Sequence, residues 1–170
     1  FEGVNICQNL NEVCASDEIR AVETLSVGWG DTYKKEYVLK VDTTNSTTTE
    51  LTTNGLIGSG TDNRIVVPPD SVVGCEFFLT GKVSGSANSL YYKRSFCISN
   101  NGGTTALNGS VATVGTDIAS VAIAAATTTI SANNTNDAIK FEVNGIAATN
   151  IRWTGNVVLT ITKYAQYIQK

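Results

Sequence analysis

Catalysis near neutral pH most often relies on histidine, and this chain contains none. A Ser-His-Asp or Cys-His arrangement is therefore excluded, and the commonest general base is missing. Carboxylate pairs remain, because two acids flanking a glycosidic bond suffice for a glycosidase. Asp17 and Glu18 are adjacent, while Asp31, Glu36, Asp42, Glu76, Asp117 and Glu142 are dispersed. No spacing selects a pair among them, and they read as ordinary solvated acids. The run Asn133-Asn134-Thr135-Asn136-Asp137 offers oxygen ligands for calcium. It lacks the alternating acidic pattern of a dedicated calcium loop, so a turn capped by its own side chains is the better reading. Gly58-Ser59-Gly60 matches no phosphate-binding motif. The expectation is no catalytic residue, no metal site and no cofactor, and that the chain is not an enzyme.

Four cysteines stand at positions 7, 14, 75 and 97. None forms a C-x-x-C pair, and without histidine a zinc site is not expected. Cys7 and Cys14 are spaced to close a small disulfide loop; free thiols in a reducing compartment are the alternative. Cys75 shares parity with Phe77 and Leu79 and should point inward. Cys97 has the opposite parity from Phe96 and Ile98, so a bridge from 75 to 97 would need a bulge or strands on different sheets. The aromatic residues suggest contacts rather than chemistry. Trp29 lies between Gly28 and Gly30, and Tyr91, Tyr92, Tyr164 and Tyr167 combine ring area with a hydroxyl. Such rings suit subunit interfaces, and a sugar-binding platform would use them too. Trp153 falls on an apolar face and reads as core.

The elements that must position these residues have a period of two. In the last strand Ile151, Trp153, Val157, Leu159 and Ile161 share one face, while Arg152, Thr154, Asn156, Thr160 and Thr162 share the other. Only a half-buried strand sorts residues this way. Gly155 interrupts the apolar face and predicts a bulge or a close backbone approach. The alternation recurs at Ile139, Phe141 and Val143, at Phe77, Leu79 and Val83, and less cleanly at Tyr92, Phe96 and Ile98. Tyr33 to Val41 reads as another strand, and Arg20 to Trp29 contains a further short one. Ile118 to Ala126 reads as a strand, Thr43 to Thr53 as a hairpin tip, and Gln8 to Glu18 as one helical turn. Turn signals such as Asn54-Gly55, Pro68-Pro69-Asp70, Asn108-Gly109 and Asn144-Gly145 separate the runs at short spacing. The pattern predicts an all-β fold, an antiparallel β-sandwich or jelly roll, with an extended N-terminal arm. The expected division is an arm over residues 1–30 and a sandwich over residues 31–170.

Composition narrows the class of function. A chain of 170 residues can bury one core unaided. Charged residues make up 16%, and the 42% hydrophobic content argues against disorder. A net charge of −3, with Lys34-Lys35 and Lys93-Arg94 as the only clustered cations, provides no basic stripe for nucleic acid. No apolar run approaches the ~20 residues of a membrane helix, and no signal-peptide core is visible. Methionine is absent, and Phe1-Glu2 is a poor context for trimming a starter residue, so the expectation is a matured chain or one without its original start. The N-x-S/T triplets at Asn45, Asn108 and Asn134 are expected by chance in a chain this rich in Asn and Thr.

One ordered set of blocks points further. NRIVVPPDS is followed by EFFLTGKVSG, KRSFCISNNGGTTALNGSVATVG, SANNTNDAIKFEVNG and IRWTGNVVLTITKY. A proline-bearing turn (Arg64 to Pro68), a T-x-L-x-G-x-V segment (Thr105 to Val111), a T-N-D turn (Thr135 to Ile139) and an I-R-W strand (Ile151 to Trp153) occur in this order. The arrangement resembles a β-rich module of structural proteins from tailed bacteriophages, over roughly the last three-fifths of the chain. The resemblance implies a virion surface component, assembled in the host cytoplasm. A capsid decoration (cement) protein or a short fibre-type subunit is the leading expectation. Its partners would be copies of itself, as a homotrimer, and the major capsid protein or tail proteins, with the arm reaching over a neighbour. The alternative is a receptor-binding tail-fibre module that recognises a host surface glycan; a bacterial surface or filament protein comes after that. Enzymes among phage spikes are usually far longer and built on β-helices.

Overall fold

The computed structural model describes residues 24–29 and 32–163. Cys7, Cys14, the helical turn Gln8 to Glu18, Tyr164 and Tyr167 lie outside the described residues, as does most of the expected arm. The fold is all-β and antiparallel. Its strands are β1 (Thr24–Trp29), β2 (Thr32–Thr43), β3 (Thr48–Leu51), β4 (Ile65–Val66), β5 (Ser71–Val83), β6 (Ser89–Asn101), β7 (Thr104–Leu107), β8 (Ala112–Thr113), β9 (Ile118–Ala119), β10 (Thr127–Asn133), β11 (Ala138–Asn144) and β12 (Ile151–Lys163). The first is the short strand expected within Arg20 to Trp29.

Two sheets pack face to face. The larger runs β1-β2-β12-β5-β6-β7, with β8 and β9 also pairing along β6. The smaller runs β10-β11-β3, with β4 sharing β11. Strand β12 lies between β2 and β5 and pairs with both in unbroken register, Trp153 opposite Val41 on one side and Gly81 on the other. Its inward residues Ile151, Trp153, Val157, Leu159 and Ile161 are buried, as the alternation predicts. From the smaller sheet Ile130, Ile139, Phe141 and Val143 complete the core. The Phe77 and Phe141 ring centroids meet at 4.8 Å across the two layers.

Gly155 resolves the two alternatives left open at its position. There is no bulge: Gly155 pairs in register with Leu39 and Leu79. A Cβ placed there would stand 2.6 Å from Phe77 Cε2, so the missing side chain makes room for that ring. Gly81 serves Trp153 in the same way, its would-be Cβ lying 3.1 Å from the indole Cε3.

Two expected elements are corrected. Ile118 to Ala126 is not one strand: β9 ends at Ala119 and a single 3₁₀ turn follows at Val121–Ile123. That turn buries Ile123 and leaves Val121 exposed, which lets the chain leave the edge of β6 and cross to the smaller sheet. Thr43 to Thr53 is not a hairpin tip either. Its strand β3 pairs with β11 in the smaller sheet, and only the bridge between Lys40 and Thr52 ties it to β2. A four-residue polar connection thus carries the chain between layers.

The ends of the sandwich are fastened by polar contacts. At the end where Ser71 meets Asn100, the Thr105 backbone N–H donates to Asn134 Oδ1 at 2.6 Å, and Thr105 Oγ1 donates to Asp137 Oδ1 at 2.8 Å. The Val67 N–H donates to the Asp137 carbonyl at 2.7 Å, and Asn100 Nδ2 donates to the Val67 carbonyl at 3.2 Å. At the opposite end, where Ile151 meets Val83, Trp153 Nε1 donates to Thr43 Oγ1 at 2.9 Å. Among the described residues, no helix is long and apolar enough to cross a membrane.

Candidate functional site

The outer face of the larger sheet gathers residues from four strands that are distant in sequence. Strand register sets them in rows. One row reads Asp42, Arg152, Lys82, Ser89, and the next reads Lys40, Thr154, Thr80, Tyr91. The alternation that buries Val41, Trp153, Gly81 and Leu90 forces the intervening residues outward, so the polar rows follow directly from the core pattern.

Within the first row Arg152 grips Asp42 with two parallel bonds, Nε to Oδ1 at 2.9 Å and Nη2 to Oδ2 at 2.7 Å. The hydrogen bonds from Arg152 hold the Asp42 carboxyl below its ordinary value against the opposing effect of burial, and those same bonds raise the guanidinium. Both side chains are open to solvent, 77% for Arg152 and 57% for Asp42, so the pair fixes orientation more than it stabilises the fold. Two shallow grooves flank it. One of about 440 Å³ runs past Thr44, Lys82, Ser84 and Asn150. The other, of about 510 Å³, runs past Lys40, Asn54, Gly55 and Thr154. Asp42 and Arg152 line both.

Among the described residues, the acids named from sequence do not gather into a catalytic pair. Asp117 binds Arg94 through two bonds, at 2.6 and 2.7 Å, which raises the guanidinium. Glu36 pairs with Lys34 and Glu142 with Lys140. Glu142 on β11 does stand directly opposite Glu50 on β3, a residue not singled out from sequence. Glu50 is held by Arg64 through two bonds, at 2.8 and 2.9 Å, with both side chains mostly covered. Asp17, Glu18 and Asp31 lie outside the described residues.

The aromatic positions divide. Tyr91 is on the outer face and 37% exposed. Tyr92 is 3% exposed, its hydroxyl donating to the Ala126 carbonyl at 2.7 Å, and burial raises its pKa. An interface role for Tyr92 is therefore corrected: it is a core residue that fastens the crossing chain after the 3₁₀ turn. Trp29 ends β1 opposite Thr32.

Cys75 is buried and Cys97 half-buried, and both are free. Gly74 stands opposite Cys97 and Cys75 opposite Phe96, which separates the thiols by parity on neighbouring strands. Burial, with the neighbouring Cys97, pushes the Cys75 thiol well above its ordinary range. Asn133 to Asp137 forms the self-capped turn, with Asn133 Oδ1 accepting from the Asn136 N–H at 3.2 Å and Asp137 at φ 47°. Among the described residues no group of three His, Cys, Asp or Glu is placed to hold a metal ion.

No family model and no curated protein matches this chain. Among solved structures it is similar to the tailspike protein gp49 from Acinetobacter baumannii bacteriophage Fri1, described as a capsular polysaccharide depolymerase. The two share 13% identity and a TM-score of 0.44 over 82% of this chain and 21% of that one. The chain thus spans about a fifth of that protein's length, and a likeness at this level transfers no activity. It does correct one expectation. Reading the chain as a non-enzyme, from its missing histidine and dispersed acids, does not stand beside a structural neighbour that is itself an enzyme.

Proposed function

We propose that this chain is a β-sandwich module of a tailed-phage virion surface protein, built into a short fibre-type appendage or a capsid decoration and working as a homotrimer. One observation carries the reading. The blocks that resemble the phage module supply the residues that fasten the sandwich at both ends. Val67, Thr105 and Asp137 meet in the clasp at one end. Trp153 of the I-R-W strand is anchored by Thr43 at the other. Blocks far apart in the chain thus act as one structural signature, and the rigid slab they hold suits a particle exposed to solvent and shear. Light scattering on the purified protein tests the assembly: a trimer is expected, and a strict monomer that leaves purified particles unlabelled overturns the proposal.

A second reading, host-glycan recognition, is supported by the polar rows of the outer face, where the exposed Tyr91 stands opposite Thr80 and shares its side of β6 with Ser89 and Lys93. On that reading Tyr91→Ala should reduce adsorption to host cells without lowering particle stability.

A further inference from the structure

We propose that the two rows Asp42-Arg152-Lys82-Ser89 and Lys40-Thr154-Thr80-Tyr91 form a binding strip for an acidic, uronate-bearing saccharide chain lying across the strands. The inference deepens the glycan reading and does not depend on where the module sits in a particle. Four observations converge on it.

Charge is the first. Lys40, Lys82 and Arg152 face a single carboxylate, Asp42, which leaves an excess of two positive charges in a chain whose net charge is −3. Among the described residues neither lysine has a carboxylate within 4.0 Å. Lys82 Nζ reaches only backbone carbonyls, that of Ser86 among them. Elsewhere Lys34, Arg64, Arg94 and Lys140 are each neutralised by an acid, while Lys35, Lys93 and Lys163 lie over the rings of Tyr33, Phe78 and Tyr33. It is the clustering of Lys40, Lys82 and Arg152 around one acid that sets the strip apart.

Donor geometry is the second. Arg152 spends Nε and Nη2 on Asp42, and among the described residues Nη1 donates to nothing. A guanidinium carries five donors in a rigid fork, so the held Arg152 presents a pre-oriented free edge that suits a ligand carboxylate. Asp42 aims the arginine and leaves it available.

Third, the site is held in place on the Lys40 flank. The Lys40 stem lies along Gly55, whose would-be Cβ would stand 3.1 Å from Lys40 Cγ and whose φ is +77°. The loop therefore cradles the lysine and forms the wall of the second groove.

Shape and lining are the fourth. The two grooves share Asp42 and Arg152 in their linings and are open to solvent. Neutral donors and acceptors share those linings with the cations, Asn54 and Thr154 in the Lys40 groove and Asn150 in the Lys82 groove, as a hydroxyl-rich ligand requires. The exposed Tyr91 stands in the second row three strand spacings, or about 14 Å, from Lys40, with the exposed Ile118 of β9 beyond it. Its ring offers a surface to one sugar face. A peptide of acidic residues alone would match the charge but carries no ring face to set against Tyr91.

The test is calorimetric titration of the protein with uronate oligomers (oligogalacturonate, hyaluronate hexamer, oligoalginate), a neutral maltohexaose and a polyglutamate of equal charge. At least one uronate oligomer should bind saturably and more tightly than both comparators, and should weaken as salt rises. Lys40→Gln and Lys82→Gln should each weaken it about fivefold, and the pair more than about tenfold, while the thermal midpoint stays unchanged. Lys140→Gln, on the opposite sheet, should leave it intact. Binding of maltohexaose without any uronate overturns the acidic assignment and leaves the glycan reading standing. Binding of no saccharide overturns both. Polyglutamate binding as tight as any uronate, or an equal loss in Lys140→Gln, shows charge attraction alone and also overturns the strip.

Discussion

The indole N–H of Trp153 donates to the hydroxyl of Thr43 at 2.9 Å, and both residues are buried. These residues lie on neighbouring strands at positions 110 apart in the chain, so the bond joins the last strand to the second. A buried donor left alone costs about 1–3 kcal/mol. Thr43→Val should therefore lower unfolding free energy by about that amount, measured by urea denaturation. Trp153→Phe should cost more, because it also removes ring volume. The double variant should cost less than the sum of the two, since the second change removes a group already orphaned. Additive losses would show that the bond contributes nothing in solution.

Gly155 is set by packing and not by backbone conformation. Its Cβ position is occupied to within 2.6 Å by the Phe77 ring, which itself meets Phe141. Gly155→Ala should destabilise by about 1–3 kcal/mol through overpacking. Combining it with Phe77→Leu should recover part of that loss, despite the smaller ring volume. If Gly155→Ala proves neutral in thermal denaturation, the close approach is not the reason for the glycine.

Thr105 is the hub of the clasp, its N–H donating to Asn134 Oδ1 and its hydroxyl donating to Asp137 Oδ1. Thr105→Val removes the hydroxyl and leaves Asp137 short of a donor, an expected loss of about 1–3 kcal/mol. Asp137→Asn keeps an acceptor and tolerates the φ of 47°, so it should cost less than Asp137→Ala, which must hold that conformation with neither advantage. The order Ala worse than Asn, read from denaturation midpoints, is the check.

The thiols should differ in reactivity. Cys97 is half-buried with Asn108 Nδ2 3.7 Å from its sulfur, while Cys75 is buried and its ionisation is suppressed, first by burial. A thiol-directed reagent at pH 8 should modify Cys97 first and Cys75 only as fast as the protein opens. The folded pKa of Cys75 lies above its ordinary 9.0, so its contribution to stability is complete below that value. That contribution is lost as pH rises further and the unfolded thiol ionises. Equal modification rates under native conditions would contradict this burial.

How much of this was legible in the sequence depends on the distance over which each feature is decided. The alternation in Phe77, Leu79, Trp153 and Val157 is local and placed the core correctly. The same parity groups Tyr92 with Phe96 and Ile98, and that signal outranks the general suitability of tyrosine for interfaces. Gly155 left a bulge and a close approach equally open, because only the partner strand reveals Phe77 behind it. Ile118 to Ala126 alternates like a strand, yet Ile118 and Ala119 already pair with Tyr91 and Leu90 near the first residue of β6, and beyond that end the chain must turn to reach the smaller sheet. The outer-face rows were illegible for the same reason. Asp42, Lys82 and Arg152 become neighbours only when three strands adopt one register, which no single segment encodes.

The Asp42–Arg152 pair makes a prediction that is local rather than global. Hydrogen bonds from Arg152 hold the Asp42 carboxyl below its ordinary 3.8. A depressed carboxyl contributes stability above its unfolded pKa and loses it as pH falls through the folded one. The window is therefore acidic, beginning near 3.8 and extending below it. Exposure of both groups makes the effect on global stability slight, so carbon-detected NMR of the Asp42 carboxyl is the suitable readout. Its midpoint should lie below 3.8 in the native protein and return toward that value in Arg152→Gln. The strip also gains a positive charge as Asp42 protonates, while the guanidinium loses the partner that aims it. A carboxyl that titrates at its ordinary value in both proteins would mean that Arg152 is not held, and the pre-oriented donor edge would go with it.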